Sequence, residues 1–398
     1  MTPSLAEEII FSRMGRMPTE SLPIIQCIGA TLRENVAAER DQPPFDRVAM
    51  DGIAGDSDTW RHGRLRLKLQ GVQAAGAPQT TLASNDSAIE VMTGAILPAG
   101  CDCVVPIEHI DVDDGHATIR PSANLTPFHN VHRRGSDAHQ GALLLGSGTR
   151  LRAPEIAIAA SAGMARLCVS RQPAIAVAST GDELVEPGKP IADFQVRRSN
   201  AYAIAAALLQ RGLIRLAEDH IRDDESKLRE RLGQFLSTQD VLILSGGVSM
   251  GRFDLVPKVL KQLGVEEVFR RIAQRPGAPM WFGVGPAGQA VFGLPGNPVS
   301  TLTCLIRYVT PAIAASMGED VGVPERLPLA VPATVEGPRA YFLPVVVAPD
   351  DSGRPWAHPR PTSGSADFLS LAGTDGFVEL PPGPNTYPHG FVATVYRW

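Results

Sequence analysis

The chain has 398 residues, of which 44% are hydrophobic and 20% charged, and its net charge of -5 corresponds to an isoelectric point near 6.0. This length is ample for a large core and more than one domain. The acidic balance argues against a nucleic-acid-binding surface, so any anion site must be local. The five cysteines are odd in number and lack zinc spacing, which fits a reducing compartment. Neither a signal peptide nor a membrane span is evident, and we expect a cytoplasmic protein with no membrane partner.

The N-terminal half combines helical linker segments with a β-rich region. We predict an amphipathic helix from Leu5 to Met14, within a segmented helical domain over residues 1–45 and 140–170. Apolar and polar residues alternate through residues 64–119, and the breaks contain Gly, Pro, Asn and Asp. This pattern predicts a small antiparallel β subdomain over residues 46–139.

Three polar turns of this subdomain contain residues that suit an anion. Asp51 lies in the loop segment FDRVAMDGIA, Thr93 stands beside a glycine, and Arg134 belongs to the basic turn HRRGSD. The simpler explanations are a solvated loop carboxylate, a hydroxyl that shapes a turn, and a surface ion pair with Asp137. From the residues alone, both explanations remain open for each turn.

Residues 171–323 alternate short apolar runs with helical patterns, which predicts a mostly parallel sheet with helices on both faces. The predicted strands include residues 174–178, 213–217, 241–244 and 290–292, and we expect Ser199 and Asn297 to cap helices. A formal G-x-G-x-x-G ends at Gly288, but the strand-like run that follows it predicts a hairpin turn and not a dinucleotide-binding loop.

Four of these strands end in polar loops, at residues 180–183, 221–224, 245–254 and 294–298. Ligands of open α/β sheets lie outside the carboxyl ends of the strands, so we expect these loops to share one crevice. The glycine-rich loop after Ser245 precedes a helix and suits phosphate. The crevice would also collect five carboxylates, those of Asp182, Glu183, Asp223, Asp224 and Asp254.

Carboxylates so close together repel one another unless a metal ion or a cationic ligand lies between them. The pattern therefore predicts a site for a phosphate and a divalent cation. The simpler alternative is that each acid caps its own helix.

The last 75 residues, 324–398, differ in sequence pattern from the preceding α/β region. Apolar runs alternate with Pro and Gly turns, which predicts a C-terminal β domain. One helix-like element, Ala366 to Leu371, follows the small residues Ser363, Gly364 and Ser365, whose backbone could approach an anion.

Several motifs occur together in the order and spacing of one known family. They are PPFDRVAMDGIA, MTGAILPAGCDCVVPIE, HRRGSD, STGDEL, LSGGVSMGRFD, RPGAP and GLPGNPVS. Over nearly its whole length the chain resembles the MoeA family, which includes the E domain of gephyrin. The resemblance implies a multidomain α/β plus β protein: a β-rich N-terminal subdomain, a molybdopterin-binding α/β domain over residues 171–323 and a C-terminal β barrel over residues 324–398.

The resemblance also implies an enzyme of molybdenum cofactor biosynthesis, a molybdopterin molybdenumtransferase. Such an enzyme takes adenylylated molybdopterin, releases AMP with the help of Mg²⁺ and inserts molybdenum from molybdate. The implied partners are a second copy of the chain, a molybdopterin adenylyltransferase and molybdoenzyme apoproteins.

Roles can be carried over only onto positions that match the motifs. The implied catalytic residues are Asp51, Glu183, Asp223 and Asp254, of which the last three would also hold the metal. Asp51 and Thr93 would reach the cleft across the dimer. The implied substrate-binding residues are Thr93, Arg134, Ser245, Gly246, Gly247, Ser249, Arg275, Pro295, Gly296, Asn297, Pro298 and Ser365.

Some positions depart from the family pattern. The family often has KPGKP where this chain has RPGAP, so Ala278 replaces a lysine suited to holding molybdate. Arg252 stands where an acid is common, His132 where an arginine is common, and Arg47 begins a dipeptide that is usually Asn-Ser. Together these departures indicate either a divergent but active transferase or a paralogue with altered chemistry. Two alternatives to the transferase are a non-catalytic carrier or scaffold of molybdopterin, which Ala278 favours, and an enzyme that hydrolyses another nucleotide-linked substrate. The retained acids favour the transferase.

Overall fold

The computed structural model of the chain describes residues 1–247, 255–335, 337–383 and 386–398. The chain divides into two compact units. The large unit comprises Met1–Glu34, Ser147–Ala153 and Arg166–Trp398, and the small unit comprises Asn35–Gly146 and Pro154–Ala165. The four domains expected from the sequence stay a prediction.

The elements of the described residues are numbered in chain order. The α-helices are α1 (Pro3–Arg13), α2 (Ser57–Arg61), α3 (Ala153–Ser161), α4 (Ser199–Gln210), α5 (Glu225–Thr238), α6 (Leu255–Gln262), α7 (Pro298–Cys304) and α8 (Thr310–Ser316). The strands are β1 (Thr19–Pro23), β2 (Val36–Ala37), β3 (Arg47–Val48), β4 (Gly52–Gly55), β5 (Arg66–Gln73), β6 (Ser87–Val91), β7 (Cys103–Pro106), β8 (Ile110–Asp113), β9 (His116–Ile119), β10 (Val131–His132), β11 (Leu143–Leu145), β12 (Arg166–Ser170), β13 (Ile175–Thr180), β14 (Leu184–Val185), β15 (Val196–Arg197), β16 (Leu216–Ile221), β17 (Val241–Ser245), β18 (Glu266–Phe269), β19 (Gln274–Arg275), β20 (Trp281–Val284), β21 (Ala290–Leu294), β22 (Arg326–Pro328), β23 (Ala333–Thr334), β24 (Ala340–Pro349), β25 (Pro355–Pro359), β26 (Gly376–Leu380), β27 (Thr386–Tyr387) and β28 (Val392–Arg397).

The central sheet of the large unit has the strand order β16-β13-β17-β21-β20-β18. The first four strands are parallel to their neighbours, whereas β20 and β18 are antiparallel, so the sheet is mixed. The strands β20 and β21 form the hairpin predicted around Gly288. At the other end of the parallel strands, Thr180 pairs with Ile221, and Ser245 pairs with both Ser179 and Leu294. Four strands therefore end at the same edge of the sheet.

Every residue of β13 and β17 is buried, as expected of strands covered on both faces. Ile175, Val177 and Ile243 contribute to one hydrophobic cluster, while Ala176 and Leu242 contribute to another. Because side chains alternate across a strand, this division shows that each face of the sheet has its own core.

The strand expected at residues 213–217 lies further along the chain, at Leu216–Ile221. Leu213 instead closes helix α4: its N–H donates to the carbonyl of Leu208, after Gly212 has turned the backbone with a φ of +78°. Leu213 is buried in the core. An apolar residue just after a helix can complete a cap and need not begin a strand.

Helix α7, a π-helical turn at Leu305–Val309 and α8 form one continuous apolar helix from Pro298 to Ser316. Its length and its mean hydropathy of 1.2 would suit a membrane span, but 78% of it is buried inside the protein. It contributes Tyr308 and Ile313 to the core of the large unit. We interpret it as a core helix, and the expected cytoplasmic location stays a prediction.

The main sheet of the small unit has the strand order β7-β4-β6-β5-β9-β8. The prediction of a purely antiparallel subdomain is wrong, because β5 and β6 are parallel. Residues 74–86 carry the chain back across the sheet between these two strands, as parallel pairing requires. A tight turn would have given the antiparallel pair expected from the alternation.

The C-terminal sheet has the strand order β19-β24-β26-β28-β22, with β25 also paired to β24. A bridge between Leu329 and Ala357 links the chain just after β22 to β25. The predicted barrel stays a prediction. The helix expected at Ala366–Leu371 is a single 3₁₀ turn from Phe368 to Leu371, where Asp367 accepts a hydrogen bond from the N–H of Ser370.

A buried arginine joins three elements of the large unit. Arg307 is 3% exposed, and its guanidinium pairs with Glu7 at 2.6 Å and with Glu379 at 2.9 Å. Tyr396 also donates a hydrogen bond to Glu379. Burial favours the neutral form of Arg307, but the carboxylates outweigh this and hold its pKa above the ordinary value.

Removal of this buried charge should destabilise the protein far more than removal of an exposed one. In Arg307→Met, the two carboxylates stay behind without their cation, and we expect a loss of about 3–5 kcal/mol in the free energy of unfolding, measured with urea. Arg397 pairs with Glu325 but is 45% exposed, so Arg397→Met should cost no more than about 1 kcal/mol. Equal unfolding midpoints for the two variants would contradict this assignment.

Candidate active site

A cleft of about 420 Å³ lies at the shared edge of the parallel strands. We call it the strand-end cleft. It is lined by the ends of β13 and β17, by the loop that follows β21 and by the start of α4. The predicted site residues that line it are Glu183, Ser245, Gly246, Gly296, Asn297 and Pro298.

Asn200, on the first turn of α4, connects two of these loops. Its amide nitrogen donates to Ser245 Oγ at 3.0 Å and to the carbonyl of Gly296 at 2.7 Å. The sequence directed attention to Ser199 as a helix cap, but α4 begins at Ser199 itself, and the preceding Arg198 makes no side-chain capping bond. Asn200 was therefore missed, because nothing in the local pattern distinguishes it from an ordinary first-turn residue.

The two glycines after β17 allow a close approach of backbone to backbone. Gly246 has a φ of +92°, and a Cβ atom there would lie 2.6 Å from the carbonyl oxygen of Thr180. Gly247 has a φ of +65°, and a Cβ atom there would lie 2.5 Å from Thr180 Oγ1. Both positions therefore require glycine, which supports the predicted small-residue turn at the strand end.

Two of the five predicted crevice acids have local structural roles. Asp224 caps α5 by accepting hydrogen bonds from the N–H groups of Ser226 and Lys227, and the pKa of Asp224 is lowered by a bond from the Ser226 hydroxyl together with these backbone donors. Asp182 accepts a bond from Arg222 at 3.0 Å, which lowers the pKa of Asp182 as well. The capping alternative is therefore correct for Asp224, and an ion pair accounts for Asp182.

The other three acids are those with an implied catalytic role. Glu183 lines the strand-end cleft, and its carboxylate lies over Gly181, where a Cβ atom would come within 2.5 Å of it. Asp223 follows the end of β16, next to the pair of Arg222 with Asp182. Asp254 lies outside the described residues, as do the predicted Ser249 and the departure at Arg252. Within the described ranges, no three His, Cys, Asp or Glu side chains are grouped as metal ligands.

A second cavity, of about 960 Å³, lies beside the RPGAP turn, and we call it the RPGAP cavity. Gly296 and Asn297 line both this cavity and the strand-end cleft. Its lining also includes the predicted residues Arg275, Pro295 and Ser365, as well as Ala278.

Asn297 does not make the predicted side-chain cap of α7. Its amide nitrogen donates to Ser365 Oγ at 2.7 Å, while the N–H of Val299 donates to the carbonyl of Ser365 at 3.1 Å. The GLPGNP loop is thus tied to the small residues before the 3₁₀ turn. This tie explains why two stretches that are 68 residues apart in the sequence share one cavity.

Two guanidinium groups belong to the RPGAP cavity. Arg275 lies over the ring of Tyr341, with 5.8 Å between the guanidinium carbon and the ring centroid. Arg339 also lines the cavity and was missed in the sequence, where it stands alone between Pro338 and Ala340. Within the part of the chain that the structure describes, neither arginine forms an ion pair, so both charges are available to an anion.

The motifs of the small unit converge on one another. Thr93 donates to Asp51 Oδ1 twice, from its N–H at 2.6 Å and from its hydroxyl at 2.7 Å. The N–H of Gly94 donates to the carbonyl of Val48, which is part of β3, and β3 pairs with β10 at the start of the HRRGSD turn. The three polar turns that the sequence singled out are therefore neighbours.

The basic turn is held by two contacts that the sequence did not predict. Asp137 pairs with His132 at 2.8 Å and not with Arg134. Arg134 pairs with Asp41 at 2.7 Å. The departures at Arg47 and His132 are in contact across β3 and β10, with 3.0 Å between the guanidinium and the imidazole Nδ1.

The chain is similar to known proteins over nearly its whole length. Residues 1–163 match the family model described as "MoeA N-terminal region (domain I and II)", residues 176–315 match "Probable molybdopterin binding domain", and residues 326–398 match "MoeA C-terminal region (domain IV)". The chain is 36% identical to a Synechocystis protein named molybdopterin molybdenumtransferase, over 99% of this chain and 98% of that one. The chain belongs to the MoeA family.

Other MoeA relatives agree with this assignment. A Bacillus subtilis protein with the same name is 28% identical over 97% of this chain and 90% of its own length. The solved structure of the molybdopterin biosynthesis MoeA protein from Pyrococcus horikoshii is 29% identical, covers all of this chain and 98% of its own, and superposes with a TM-score of 0.78. The resemblance read from the motifs is thereby confirmed over the whole chain.

The contact between Thr93 and Asp51 can be tested through the titration of the carboxyl group. The backbone and hydroxyl donors of Thr93 stabilise the charged form and lower the pKa of Asp51. In Thr93→Val only the backbone donor remains, so the pKa should rise towards its ordinary value, as measured by carboxyl ¹³C NMR. Thr93→Ser keeps both donors and should leave the pKa unchanged; an equal rise in both variants would exclude the hydroxyl as a cause.

Proposed function

We propose that this MoeA-family protein is a molybdopterin molybdenumtransferase, which inserts molybdenum from molybdate into adenylylated molybdopterin and releases AMP. One observation carries the proposal. The strand-end cleft, which suits a phosphorylated pterin, and the RPGAP cavity, which holds two arginines that form no ion pair among the described residues, share Gly296 and Asn297. Two substrates of different chemistry can therefore meet at one loop.

The phosphates of adenylylated molybdopterin would lie in the strand-end cleft. The close-packed turn at Gly246 and Gly247 lets backbone approach a ligand without steric conflict, which favours phosphate binding. Ser245 and Asn297 offer polar side chains on either side, and Asn200 fixes the distance between their loops. The predicted Ser249 and Pro298 belong to the same two loops.

Molybdate would lie in the RPGAP cavity. It is a tetrahedral dianion, and Arg275 and Arg339 provide two planar guanidinium groups that match the geometry of such an oxyanion. Ser365 adds a hydroxyl, positioned by the amide of Asn297. Arginine keeps its charge at any physiological pH, so molybdate binding should not weaken through deprotonation of these groups.

The donor set of the strand ends fits Mg²⁺. This ion prefers carboxylate oxygen ligands and commonly takes only one or two of them, together with water and substrate phosphates. We propose Glu183, Asp223 and Asp254 as its holders. When bound, Mg²⁺ would offset the negative charge of the phosphates beside these acids.

In the release of AMP, a water oxygen forms a bond to one phosphorus of the phosphoanhydride, the bond from that phosphorus to the bridging oxygen breaks so that AMP and the phosphate of molybdopterin separate, and the water loses a proton. Glu183 is the proposed catalytic carboxylate that lines the cleft, and a carboxylate in this position can accept that proton. Arg275 and Arg339 would hold molybdate while the phosphates are still bound. The protein then acts mainly by holding two anions in place despite their repulsion.

The small unit would complete the site from a second copy of the chain. Asp51 is exposed and its pKa is lowered, so it is ionised at neutral pH and available to a ligand. Thr93 fixes one oxygen of this carboxylate, and Arg134 belongs to the neighbouring turn. We propose that these residues face the strand-end cleft of a partner subunit in a homodimer.

A carrier function is the second candidate, and Ala278 favours it, because no charge projects into the RPGAP cavity from this position. The relatives with full-length matches are named as transferases, which favours the enzyme. The lining also includes the carboxylate of Asp367, but the two arginines outnumber it and leave the described lining cationic without a lysine at residue 278.

The central prediction concerns AMP release. Purified protein with Mg²⁺ and molybdate should release AMP from adenylylated molybdopterin, as measured by chromatography. Chelation of the metal should stop the release, and added Mg²⁺ should restore it. Asp254→Asn should abolish release, since it removes a charged carboxylate that we propose as a ligand of the metal. Asp224→Asn is the matched control: asparagine caps a helix as well as aspartate does, so its activity should be normal.

Other outcomes would identify the alternatives. Binding of adenylylated molybdopterin without any AMP release after prolonged incubation would favour the carrier. AMP release that does not depend on molybdate would favour hydrolysis of a different nucleotide-linked substrate.

Charge in the RPGAP cavity should determine the affinity for molybdate. Arg275→Ala should weaken binding by roughly tenfold to a hundredfold, the equivalent of one charged hydrogen bond of about 1.5–3 kcal/mol. Ala278→Lys should tighten binding because it adds a cation to the cavity wall, while Ala278→Met adds similar bulk without charge and should not. Calorimetric titration with molybdate measures all three, and unchanged affinity in Arg275→Ala would place molybdate elsewhere.

A further inference from the structure

The residue that precedes the RPGAP turn is a fully buried glutamine. Gln274 is 0% exposed, whereas its neighbour Arg275 is exposed. The two residues form β19, which pairs with Ala340 and Tyr341 of β24. Side chains alternate along a strand, so Gln274 enters the core and Arg275 points away from it. Any group that fixes Gln274 therefore also fixes the direction of Arg275.

Both the nitrogen and the oxygen of the Gln274 side-chain amide form hydrogen bonds. Its nitrogen donates to the carbonyl oxygens of Pro276 at 3.2 Å and Gly277 at 3.3 Å, two residues of the turn itself. Its oxygen accepts a hydrogen bond from the hydroxyl of Tyr308, a residue of the core helix. The side chain is thus a bridge between the helix and the backbone of the turn.

Tyr308 determines which way the amide points. A glutamine amide can rotate by a half turn and exchange its oxygen and nitrogen. Burial raises the pKa of Tyr308, so its hydroxyl keeps its proton and can act as a donor. Because this donor faces the amide oxygen, the nitrogen is directed to the turn carbonyls. Without it, the rotated amide would place an oxygen against two other acceptors.

Cys304 holds the same turn from the preceding helical turn. Its thiol donates to the carbonyl of Gly277 at 3.5 Å, and burial raises its pKa to about 12, so the proton is retained. Gly277 has a φ of +86°, and a Cβ atom there would lie 2.5 Å from Cys304 Sγ. The turn is therefore packed directly on the core helix, with no space for adjustment at this point.

We propose that Gln274 and Tyr308 are positioning residues for oxyanion binding, which hold the Arg275–Pro279 turn in the shape that presents Arg275 to the RPGAP cavity. The proposal rests on the placement of molybdate in that cavity proposed above. Gln274 borders the RPGAP cavity, but its side chain is fully buried, so it acts on the turn, and Tyr308, which is outside the cavity lining, acts on Gln274.

The test is calorimetric titration of the full chain with molybdate. Tyr308→Phe removes one hydroxyl and should weaken molybdate binding roughly two- to tenfold, the effect of one net hydrogen bond. Gln274→Met removes the donors to the turn and should weaken it at least as much. In the Gln274→Met background, Tyr308→Phe should add no further loss, because its effect passes through the glutamine.

A matched control separates positioning from general damage to the core. Tyr396→Phe removes the hydroxyl of a different, half-buried tyrosine of the large unit, which donates to Glu379 and not to the turn. It should leave molybdate affinity unchanged. In steady-state AMP release, Tyr308→Phe should raise the KM for molybdate and leave kcat at saturation unchanged, which a merely loosened fold would not do.

The outcomes distinguish this proposal from the proposed function. If Arg275→Ala loses affinity while Tyr308→Phe and Gln274→Met retain it, the positioning role is wrong and the cavity assignment stands. If Arg275→Ala also retains full affinity, both are overturned. Independent, additive losses from Tyr308→Phe and Gln274→Met would likewise overturn the coupling.

Discussion

The structure of the large unit depends on the in-register parallel pairing of β16, β13, β17 and β21. Parallel pairing of strands that are buried on both faces leaves their carboxyl ends at a single edge, where loops can carry polar groups without entering the core. The glycines at residues 246 and 247 are required for the turn that follows β17, because any larger residue would collide with Thr180. The cleft is a consequence of this pairing, and the proposed catalytic carboxylates belong to the loops that follow the strands.

Sequence patterns predicted the elements whose burial is extreme. The uninterrupted apolar run at residues 241–244 identified a strand covered on both faces, and the hairpin at Gly288 followed from a strand directly after the glycines. Predictions from sequence patterns failed where the structure of a segment depends on contacts with residues far along the chain. Leu213 is apolar because it packs in the core of the large unit, and β5 pairs in parallel with β6 because residues 74–86 cross over between them. The local alternation of apolar and polar residues carries no information on the packing of Leu213 or on the direction in which β5 and β6 pair.

The candidate site likewise has features that the sequence predicted and features that it did not. The motifs identified the loops, but they did not show which side chains in those loops already form hydrogen bonds or ion pairs. Of the acids in the predicted crevice, Asp182 and Asp224 serve an ion pair and a helix cap, and only contacts reveal this. Asn200 and Arg339 carry no motif at all. Asn200 matters because it connects the ends of β17 and β21, and Arg339 matters because the C-terminal sheet brings it to the RPGAP cavity.

Departures from a motif must therefore be judged by the three-dimensional environment and not by position alone. Arg47 and His132 both differ from the family pattern, and they contact each other at 3.0 Å. An arginine at residue 132 would bring two guanidinium groups together there, so Arg47 favours the histidine at residue 132. Ala278 calls for the same reasoning: an oxyanion responds to the total charge and geometry of its cavity, and that cavity retains Arg275 and Arg339. A missing lysine lowers the expected affinity for molybdate, yet it does not remove the physical basis for binding it.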